Sequence, residues 1–445
     1  MQELICASLQ GYSHIENHRP CEDWGVAVSG EYGKIFVTAD GHGDSNCPRS
    51  RFGAKTICDV AVECLGKFAK CLHREQMEEK LILPGRKQSE LLRHLISNMV
   101  VTWKKTVSRD FETHPLTDEE KKGCSRYLAE YDQGLQIPHI YGTTVIAGLL
   151  TEKYLLLLQQ GDGQCVLFDQ DGQALQPIPW DNRCFANVTT SVCDEDAIES
   201  FRSCVLDIQN HPPAACFAGS DGVDDSFGSS ERMHCYYREL IEYGCTKGVE
   251  NLNSWLEENL PEFSRTGSRD DVTITGFMDP SLCEKLIPGM QRDSHRVILR
   301  EQEEMLTERI RSMNAMGRIK ALEEKMKQLQ TAIGDHREKL LADQKQYEEF
   351  LLQYEILQEK KNQNPEIFMS FQKLFSRLLP EEPFLQAQRR QKTMKENLES
   401  QKESEIHLEE KYKETEKEYA RQMQRKQEYE AALEKIRQEL SRISG

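Results

Sequence analysis

The residues best suited to chemistry are carboxylates that recur beside glycine in the first 280 positions. An isolated Asp-Gly pair is typical of a turn for backbone reasons. Here, in four of five segments, an aspartate borders a short apolar β-like run, so the ends of packed strands can bring several carboxylates into one cleft. The segments are 22–24 (Glu-Asp-Trp), 40–43 (Asp-Gly-His-Gly), 161–163 (Gly-Asp-Gly), 221–225 (Asp-Gly-Val-Asp-Asp) and 267–271 (Gly-Ser-Arg-Asp-Asp).

Carboxylates that converge in this way favour a bound cation. They repel one another and are tolerated mainly when a cation lies between them. Ligands that are all oxygen suit Mg²⁺ or Mn²⁺ better than zinc. Two such ions about 3.5–4 Å apart lower the pKa of a bridging water and hold a phosphate for in-line attack, so no protein nucleophile is required.

The sequence lacks the usual signals of other hydrolytic and nucleotide-binding sites. None of the 15 cysteines is followed by arginine six positions later, which excludes the Cys-x5-Arg phosphatase loop. Neither the Gly-x-Ser-x-Gly motif of serine hydrolases nor the Gly-x4-Gly-Lys-Ser/Thr nucleotide-binding loop occurs. Metal-assisted hydrolysis is therefore the chemistry that the residues favour.

The ends of strands must position these carboxylates. Residues 1–280 alternate β-like runs with amphipathic segments, at 50–72 and 88–110, that predict helices. Short apolar or β-branched runs bounded by Gly or Asp predict strands. Because only a few residues separate 142–150 from 153–159, and 153–159 from 163–168, we expect both pairs to form antiparallel hairpins. The predicted strands are 33–39, 142–150, 153–159, 163–168, 214–218 and 271–277. Together with the helices they predict an α+β domain.

The ordered series of motifs resembles the metal-dependent serine/threonine protein phosphatases of type 2C. The resemblance covers nearly all of residues 1–280 and also includes 142–144 (Gly-Thr-Thr) and 220–225 (Ser-Asp-Gly-x-x-Asp). It implies a four-layer α-β-β-α sandwich of two antiparallel sheets. It also implies hydrolysis of phosphoserine and phosphothreonine in proteins by a water activated between two Mg or Mn ions.

The resemblance implies a role for each matching residue. Asp40 would bridge the two metals, and the carbonyl of Gly41 would ligate the first. Asp221 and Asp270 would hold the second, while Glu22 and Asp23 would act largely through metal-bound waters. Asp162 and Asp225 match positions that, with Asp221, assist a third and weaker metal in bacterial-type members. His42 matches a histidine proposed to protonate the leaving alcohol.

Three departures from the family pattern concern substrate binding and rate more than metal binding. The arginine that grips the phosphate usually stands five residues before the aspartate that matches Asp23; here that position is His18, and arginine follows at Arg19. We expect Arg19 to reach the phosphate, because a loop absorbs a shift of one residue and arginine suits bidentate phosphate contacts. The usual Gly-Asp-Ser is Gly-Asp-Gly at 161–163, and the usual Asp-Asn is Asp-Asp at 270–271.

The net charge and the cysteine content indicate which classes of partner and which cell compartment to expect. The net charge of −17 belongs entirely to residues 1–280, with 26 basic against 43 acidic residues, because residues 281–445 carry 31 of each. An acidic domain repels nucleic acid and anionic lipid, so we expect neither as a primary partner. No apolar run approaches the roughly 18 residues that span a bilayer.

The 15 cysteines show no disulfide or zinc spacing, which predicts a reducing, cytoplasmic location.

The remaining chain has the composition of long helices. We expect a linker at 281–294 and a coiled-coil helical hairpin at 295–445, because residues 295–361 and 386–443 are rich in Glu, Lys, Gln and Leu. A 3-4 repeat runs from Ile319 to Leu357 and is apolar except at His336 and Asp343. We predict an antiparallel hairpin that dimerises or docks on a protein partner, with parallel dimerisation as the alternative.

The tip segment 362–385 of the predicted hairpin contains an apolar stripe at residues 367, 371, 374, 375 and 378. The stripe either docks a partner or folds back onto the arms. A second interpretation of the whole chain is a catalytically weak, phosphatase-like scaffold that acts through its coiled coil. The intact carboxylate set favours the enzyme, since a scaffold has no need of mutually repelling acids.

Overall fold

The computed structural model describes residues 1–124, 126–185, 188–315, 317–363, 365–366, 370 and 383–444. The chain divides into two units, Met1–Ile298 and Leu299–Gly445. Each unit is built from its own secondary structure, and the strands among the described residues all belong to the first.

Two five-stranded antiparallel sheets form the centre of the first unit. The first sheet has the order β1-β10-β9-β6-β7 and the second has the order β2-β3-β4-β5-β8. The strands are β1 (Glu3–Leu9), β2 (Trp24–Gly30), β3 (Gly33–Ala39), β4 (Val145–Leu150), β5 (Tyr154–Gln160), β6 (Gln164–Phe168), β7 (Ala174–Leu175), β8 (Arg202–Asp207), β9 (Ala215–Gly219) and β10 (Val272–Met278).

Helices cover both outer faces of this pair of sheets. The helices of the first unit are α1 (Tyr12–Glu16), α2 (Ser50–Arg74), α3 (Glu78–Ile82), α4 (Arg86–Thr113), α5 (Asp118–Gly123), α6 (Leu128–Asp132), a 3₁₀ helix (Ile137–Tyr141), α7 (Ala197–Ser200), α8 (Asp221–Asp224), α9 (Ser230–Lys247) and α10 (Val249–Thr266). Helix α11 (Pro280–Ala315) begins in this unit.

The core has three layers, which follow from the alternation of side chains along each strand. Ile35 and Val37 of β3 pack in the layer that includes α2 and α4, whereas Phe36 points into the layer between the sheets. There its ring lies 6.0 Å from that of Phe277. On the outer face of the first sheet, Phe217 stacks on Tyr237 of α9 at 4.6 Å. The predicted α-β-β-α sandwich is therefore confirmed.

One predicted strand pairing is wrong. β4 and β5 form the expected antiparallel hairpin, but β5 pairs with β8 and β6 pairs with β9, so β5 and β6 lie in different sheets. The connection passes through Gly161, whose φ of +109° is open to glycine and rarely adopted by other residues. A short loop can therefore carry the chain from one sheet to the other. Strands β1, β2, β7 and β8 were not predicted.

The expected linker at 281–294 lies within helix α11 instead. Cys283 and Met290 are buried in the core cluster that contains residues of α9 and α10, because apolar residues recur there at helical spacing. The apolar stripe predicted in the tip segment 362–385 lies outside the described residues. No described helix combines the length and the apolar character that crossing a bilayer requires.

The second unit is helical throughout its described residues. It contains the end of α11, then α12 (Arg318–Gln363) and α13 (Pro383–Ser444). The contacting residues of α13 run in the opposite order to those of α11 and α12, so the packing is antiparallel, as predicted. The hydrogen-bonded pairs are Glu303 with Arg437, His336 with the backbone carbonyl of Gln401, Arg337 with Glu405, and Asp343 with the side chain of Gln401.

Candidate active site

The predicted carboxylates of the second sheet lie at one end of its strands. Glu22 and Asp23 immediately precede β2, and Asp40 immediately follows β3. Because Trp24 pairs with Ala39 across these antiparallel strands, the two segments are neighbours at the same edge.

The carboxylates of the first sheet meet at the matching edge. Asp221 follows β9 and Asp270 precedes β10, and these strands pair through Gly219 and Ile274. Asp162 lies in the loop before β6. The hydroxyl of Thr38 in the second sheet lies 2.7 Å from that of Thr275 and donates to the carbonyl of Ala218, both in the first sheet. These contacts join the sheets close to the carboxylates.

The Gly-Thr-Thr segment explains why Asp40 is held firmly. The carbonyl of Asp40 accepts hydrogen bonds of 2.8 Å from the Thr143 hydroxyl and from the Thr144 backbone N–H. The Thr144 hydroxyl accepts in turn from the Asp40 backbone N–H at 3.2 Å. A Cβ atom on Gly142 would lie 2.5 Å from the ring of His42, so only glycine at this position leaves room for that imidazole.

Asp40 and Asp221 are neighbouring carboxyl groups, and each changes the pKa of the other. Burial, and then the charge of Asp221, raise the pKa of Asp40 well above its usual value. Burial likewise raises the pKa of Asp221. Two carboxylates this close cannot both be ionised near neutral pH unless a cation compensates them. The pair therefore fits a divalent metal ion.

The buried carboxylate of Asp23 is a second indication that this site suits a cation. Its side chain is buried, and Oδ2 has no hydrogen-bond partner among the described residues. Burial is the main reason that its pKa is raised well above the usual value, and the charge of Asp271 adds to the effect. A buried carboxylate oxygen without a partner is costly, and all the predicted ligands offer oxygen, the donor that Mg²⁺ and Mn²⁺ prefer.

Glu22 contacts the protein more extensively than its predicted role requires. Its Oε2 accepts hydrogen bonds from the Ser50 hydroxyl at 2.8 Å and from the Arg51 backbone N–H at 2.9 Å. These donors belong to the first turn of α2, whose free N–H groups favour a negative charge. Glu22 thus anchors the beginning of α2 with one of its two carboxylate oxygens. Gly41 lies beside it, since a Cβ there would be 2.8 Å from the Glu22 carbonyl.

The remaining predicted ligands border this centre. The charges of Asp162 and Asp270 both act on Asp221 and on Asp225. Asp270 is about half exposed, with 54% of its side chain accessible, and Asp225 is exposed. The predicted carboxylates therefore lie around one cleft, in which Asp23 is buried while Asp40 and Asp221 are partly exposed.

The two candidates for phosphate binding differ in position. The Arg19 guanidinium donates a hydrogen bond to the carbonyl of Gly43, which places it beside the Asp40–Gly43 segment. His18 is exposed and has a left-handed backbone with φ of +54°. Arg19 is therefore the residue nearer the carboxylate cleft.

His42 is held by a residue that the sequence did not indicate. Its Nε2 lies 2.8 Å from the hydroxyl of Ser191, and that hydroxyl also donates to the carbonyl of Thr143 at 3.0 Å. Burial lowers the pKa of His42, while the charges of Asp162 and Asp194 oppose the effect. Ser191 lies 149 positions from His42 in an irregular segment, so no periodicity or motif signals this contact.

Two further acidic residues near the cleft were not predicted to bind metal. Asp224 is partly buried, accepts from Gln164 Nε2 at 3.1 Å, and keeps Oδ1 without a partner among the described residues. Asp271 is buried beside His14, and with Asp270 these form the single described group of three whose ligating atoms lie within 4.8 Å of one another. That group does not include Asp40 or Asp221.

The raised pKa values predict how the metal-free protein responds to pH. Burial raises the pKa of Asp224 to about 8, in the same direction as the shifts of Asp23, Asp40 and Asp221. A carboxyl with a higher pKa in the folded chain favours folding when protonated, so stability falls as the pH rises from about 4 to about 8. The lowered pKa of Asp271 has the opposite sign, but its effect is confined to pH values below about 4.

Burial lowers the pKa of His42, His139 and His234, which contributes with the opposite sign over part of the same range, so the test compares variants. We expect the melting temperature of EDTA-treated Asp224→Asn, relative to that of the unaltered protein, to rise as the pH is raised from about 4 to about 8. For Asp169→Asn, in a turn at the far end of β6, this difference should stay constant. Calorimetry of the three proteins measures it, and a difference for Asp224→Asn that does not change with pH would contradict the assignment.

Comparison with known proteins identifies the family that these residues resemble. The family model described as "Protein phosphatase 2C" matches residues 10–260, more than half of the chain. No match was found among the curated proteins.

Solved structures give a likeness of fold. The serine/threonine phosphatase Stp1 from Staphylococcus aureus is 16% identical, with a TM-score of 0.39, and the match covers 63% of this chain and 95% of that one. The phosphatase PstP/Ppp from Mycobacterium tuberculosis is 14% identical, with a TM-score of 0.37, and covers 62% of this chain and 98% of its own. The catalytic domain of PstP in complex with two manganese ions is 15% identical, with a TM-score of 0.35 and coverage of 62% and 97%.

Proposed function

The chain belongs to the protein phosphatase 2C family, and on this premise we propose that its first unit hydrolyses phosphoserine and phosphothreonine in proteins with two Mg²⁺ or Mn²⁺ ions. The observation that carries the proposal is that the charges of Asp221, Asp23 and Asp270 all act on Asp40. The family is one of serine/threonine phosphatases, so the chain is an enzyme of the hydrolase class. The choice of ions and the role of each residue are our proposals.

The residues around the cleft divide into metal-holding and substrate-holding groups. Asp40 and the Gly41 carbonyl would hold one ion, and Asp40, Asp221 and Asp270 the other. Glu22 and Asp23 would support them through water, and Asp162 and Asp225 would assist a third, weaker ion. When bound, the ions would supply an ionised water as nucleophile and neutralise the phosphate charge.

Two residues of the chain would act on the substrate itself. We assign phosphate binding to Arg19, whose guanidinium already lies against the Gly43 carbonyl and suits the oxygens of a phosphate. His42 would deliver a proton to the oxygen of the departing serine or threonine, with its ring orientation fixed by Ser191. We assign neither role to the exposed His18, because the Arg19 side chain already contacts the Gly43 carbonyl.

Removing one charge from the central pair tests the metal assignment. Asp40→Asn and Asp221→Asn should each lower Mn²⁺-dependent hydrolysis of p-nitrophenyl phosphate by about 100-fold or more, since each removes a ligand for the ions. Asp169→Asn is the matched control, because it removes one carboxylate charge from a turn remote from the cleft and should leave the rate unchanged. Activity that persists in both cleft variants would overturn the binuclear assignment.

The same assay separates the enzyme from the second interpretation, a phosphatase-like scaffold. A scaffold would show no Mn²⁺-dependent turnover in the unaltered chain and no difference among the variants. The convergence of the charges of Asp221, Asp23 and Asp270 on Asp40 favours the enzyme, because a scaffold would carry their repulsion without a use for it.

The role of His42 predicts a dependence on the leaving group. A serine alkoxide needs a proton as it departs, whereas p-nitrophenolate is a stable anion and does not. His42→Gln should therefore slow hydrolysis of a phosphoserine peptide much more than hydrolysis of p-nitrophenyl phosphate. Equal loss on both substrates would show that His42 serves the architecture of the site and not proton transfer.

We propose that the helical unit positions the enzyme by self-association or by binding a protein partner. Its antiparallel contacts bury few side chains, among them Leu340 and Leu398, while Leu341 remains exposed at 66%. Long paired helices with an apolar seam are typical of association surfaces. We also propose a cytoplasmic location, supported by 15 cysteines that are all free thiols and all within the described residues.

Leu340→Asp tests whether association depends on the paired helices. The buried charge should separate α12 from α13, lower the thermal stability of the helical signal and reduce the mass measured by light scattering. Leu341→Asp, one position along and exposed, should preserve the helical signal. Hydrolysis of p-nitrophenyl phosphate should be unaffected in both. A monomeric mass for the unaltered chain would contradict self-association.

A further inference from the structure

The carboxylate of Asp271 joins three separate segments at the edge of the cleft. Its Oδ1 accepts a hydrogen bond from the Gly11 backbone N–H at 2.6 Å and lies 2.9 Å from His14 Nδ1 in an ion pair. Its Oδ2 accepts from the Glu22 backbone N–H at 2.6 Å. The side chain is only 3% exposed, so water does not substitute for these donors. One buried carboxylate therefore fixes the distance between the segments 11–14, 22–23 and 270–271.

The segment that carries His14 packs directly on the peptide that carries Asp270. A Cβ atom on Gly11 would lie 2.3 Å from the carbonyl carbon of Asp270, so the approach requires glycine. Ser264 reinforces the contact, because its hydroxyl accepts from the Tyr12 backbone N–H and donates to the Asp270 carbonyl, both at 2.9 Å. The backbone around Asp270 is thus held from two sides.

Both oxygens of Asp271 are occupied by N–H donors, which separates its role from that of Asp270. Asp271 accepts two short backbone hydrogen bonds and pairs with His14, so its oxygens are directed at the protein. Asp270 is about half exposed, and its Oδ1 accepts from the Asp271 backbone N–H at 2.8 Å and lies 3.7 Å from His14 Nε2. Although burial alone would raise the pKa of Asp271, the interactions with His14, Gly11 and Glu22 outweigh it and lower the pKa. Asp271 and His14 therefore form a brace beside the more exposed Asp270.

An asparagine at position 271 would not make the same brace. Its side chain has one oxygen and one NH₂ group, so either the Glu22 N–H or the Gly11 N–H would face another donor. Aspartate accepts hydrogen bonds through both of its oxygens, and His14 lies beside its negative charge. The Asp-Asp sequence at 270–271 is thereby explained by its contacts.

We propose that Asp271 and His14 are positioning residues for the metal cleft: they hold the Glu22-Asp23 segment and Asp270 at the separation that metal binding requires. The proposal rests on the proposed function, since it presumes that these carboxylates bind divalent ions. Partners of this kind, which orient ligands without touching the metal, typically change metal affinity by about 10- to 100-fold when they are replaced.

The test is calorimetric titration of the full-length metal-free protein with Mn²⁺. Asp271→Asn, which keeps the size of the side chain, should weaken Mn²⁺ binding by about 10-fold or more. The control is Asp169→Asn, because Asp169 also accepts two backbone hydrogen bonds, from the N–H groups of Asp171 and Gln173 at 2.9 Å. It should bind Mn²⁺ like the unaltered protein.

A second pair of variants remains informative if Asp271→Asn does not fold. His14→Ala removes the donor to Asp271, whereas the amide nitrogen of His14→Asn can occupy the place of Nδ1. We expect His14→Ala to weaken Mn²⁺ binding and His14→Asn to restore most of it. With saturating Mn²⁺, His14→Ala should hydrolyse p-nitrophenyl phosphate at close to the unaltered rate, because the proposed metal ligands are displaced and not removed.

The outcomes distinguish this inference from the proposed function. If the unaltered protein binds no Mn²⁺, the metal assignment itself fails and the inference fails with it. If the unaltered protein binds Mn²⁺ and the Asp271 and His14 variants bind it equally well, only the positioning role is overturned. Equal weakening by His14→Ala and His14→Asn would also overturn it, because the hydrogen bond to Asp271 would then not be responsible.

Discussion

The repulsion among neighbouring carboxylates is the constraint on which the rest of the first unit depends. Asp40 and Asp221 are partly exposed, and both have raised pKa values, so the folded chain must hold them together against an unfavourable electrostatic energy. The backbone supplies the restraint. Asp40 is fixed through its own carbonyl and N–H by Thr143 and Thr144, and Asp221 begins a helical turn directly after β9.

The two sheets position the restrained carboxylates relative to one another and so form the candidate site. Each ligand segment is short and connected directly to a strand, so strand pairing sets its position more precisely than a long loop would. The sheets are joined nearby through Thr38 and Thr275, which keeps ligands from different sheets at a fixed separation. Divalent ions would then stabilise an arrangement already built, instead of organising a disordered one.

Local signals in the sequence predicted most of the strands but not how all of them pair. Segment 33–39 coincides with β3 because β-branched residues alternate there over a full strand. The pairing of β5 with β6 was predicted wrongly, because loop length distinguishes parallel from antiparallel neighbours but does not reveal a change of sheet. β1 and β8 carry polar residues and alternate weakly, and packing against their neighbours defines them more than their own composition does.

In the candidate site, too, the sequence predicted residues within short motifs but not contacts between distant segments. Asp40, Asp221 and Asp270 were found because each belongs to a short motif, and their convergence follows from strand ends. The anchoring of α2 by Glu22, the contact of Ser191 with His42, and the brace between His14 and Asp271 join residues far apart in the chain. Spacing carries no information about such contacts, because they arise only when separate loops pack together.

Buried polar groups in the helical unit obey the same physical rule with a different solution. His336 and Asp343 interrupt the apolar repeat, and both contact Gln401 on α13, at 2.9 Å through its carbonyl and at 2.7 Å through its amide. A polar position in an otherwise apolar seam favours the one register in which it finds a partner. In the helices Gln401 provides partners for both polar groups and specifies alignment. In the first unit Asp23 Oδ2 and Asp224 Oδ1 have no hydrogen-bond partner among the described residues, and this difference is the physical reason for proposing a cation in the cleft.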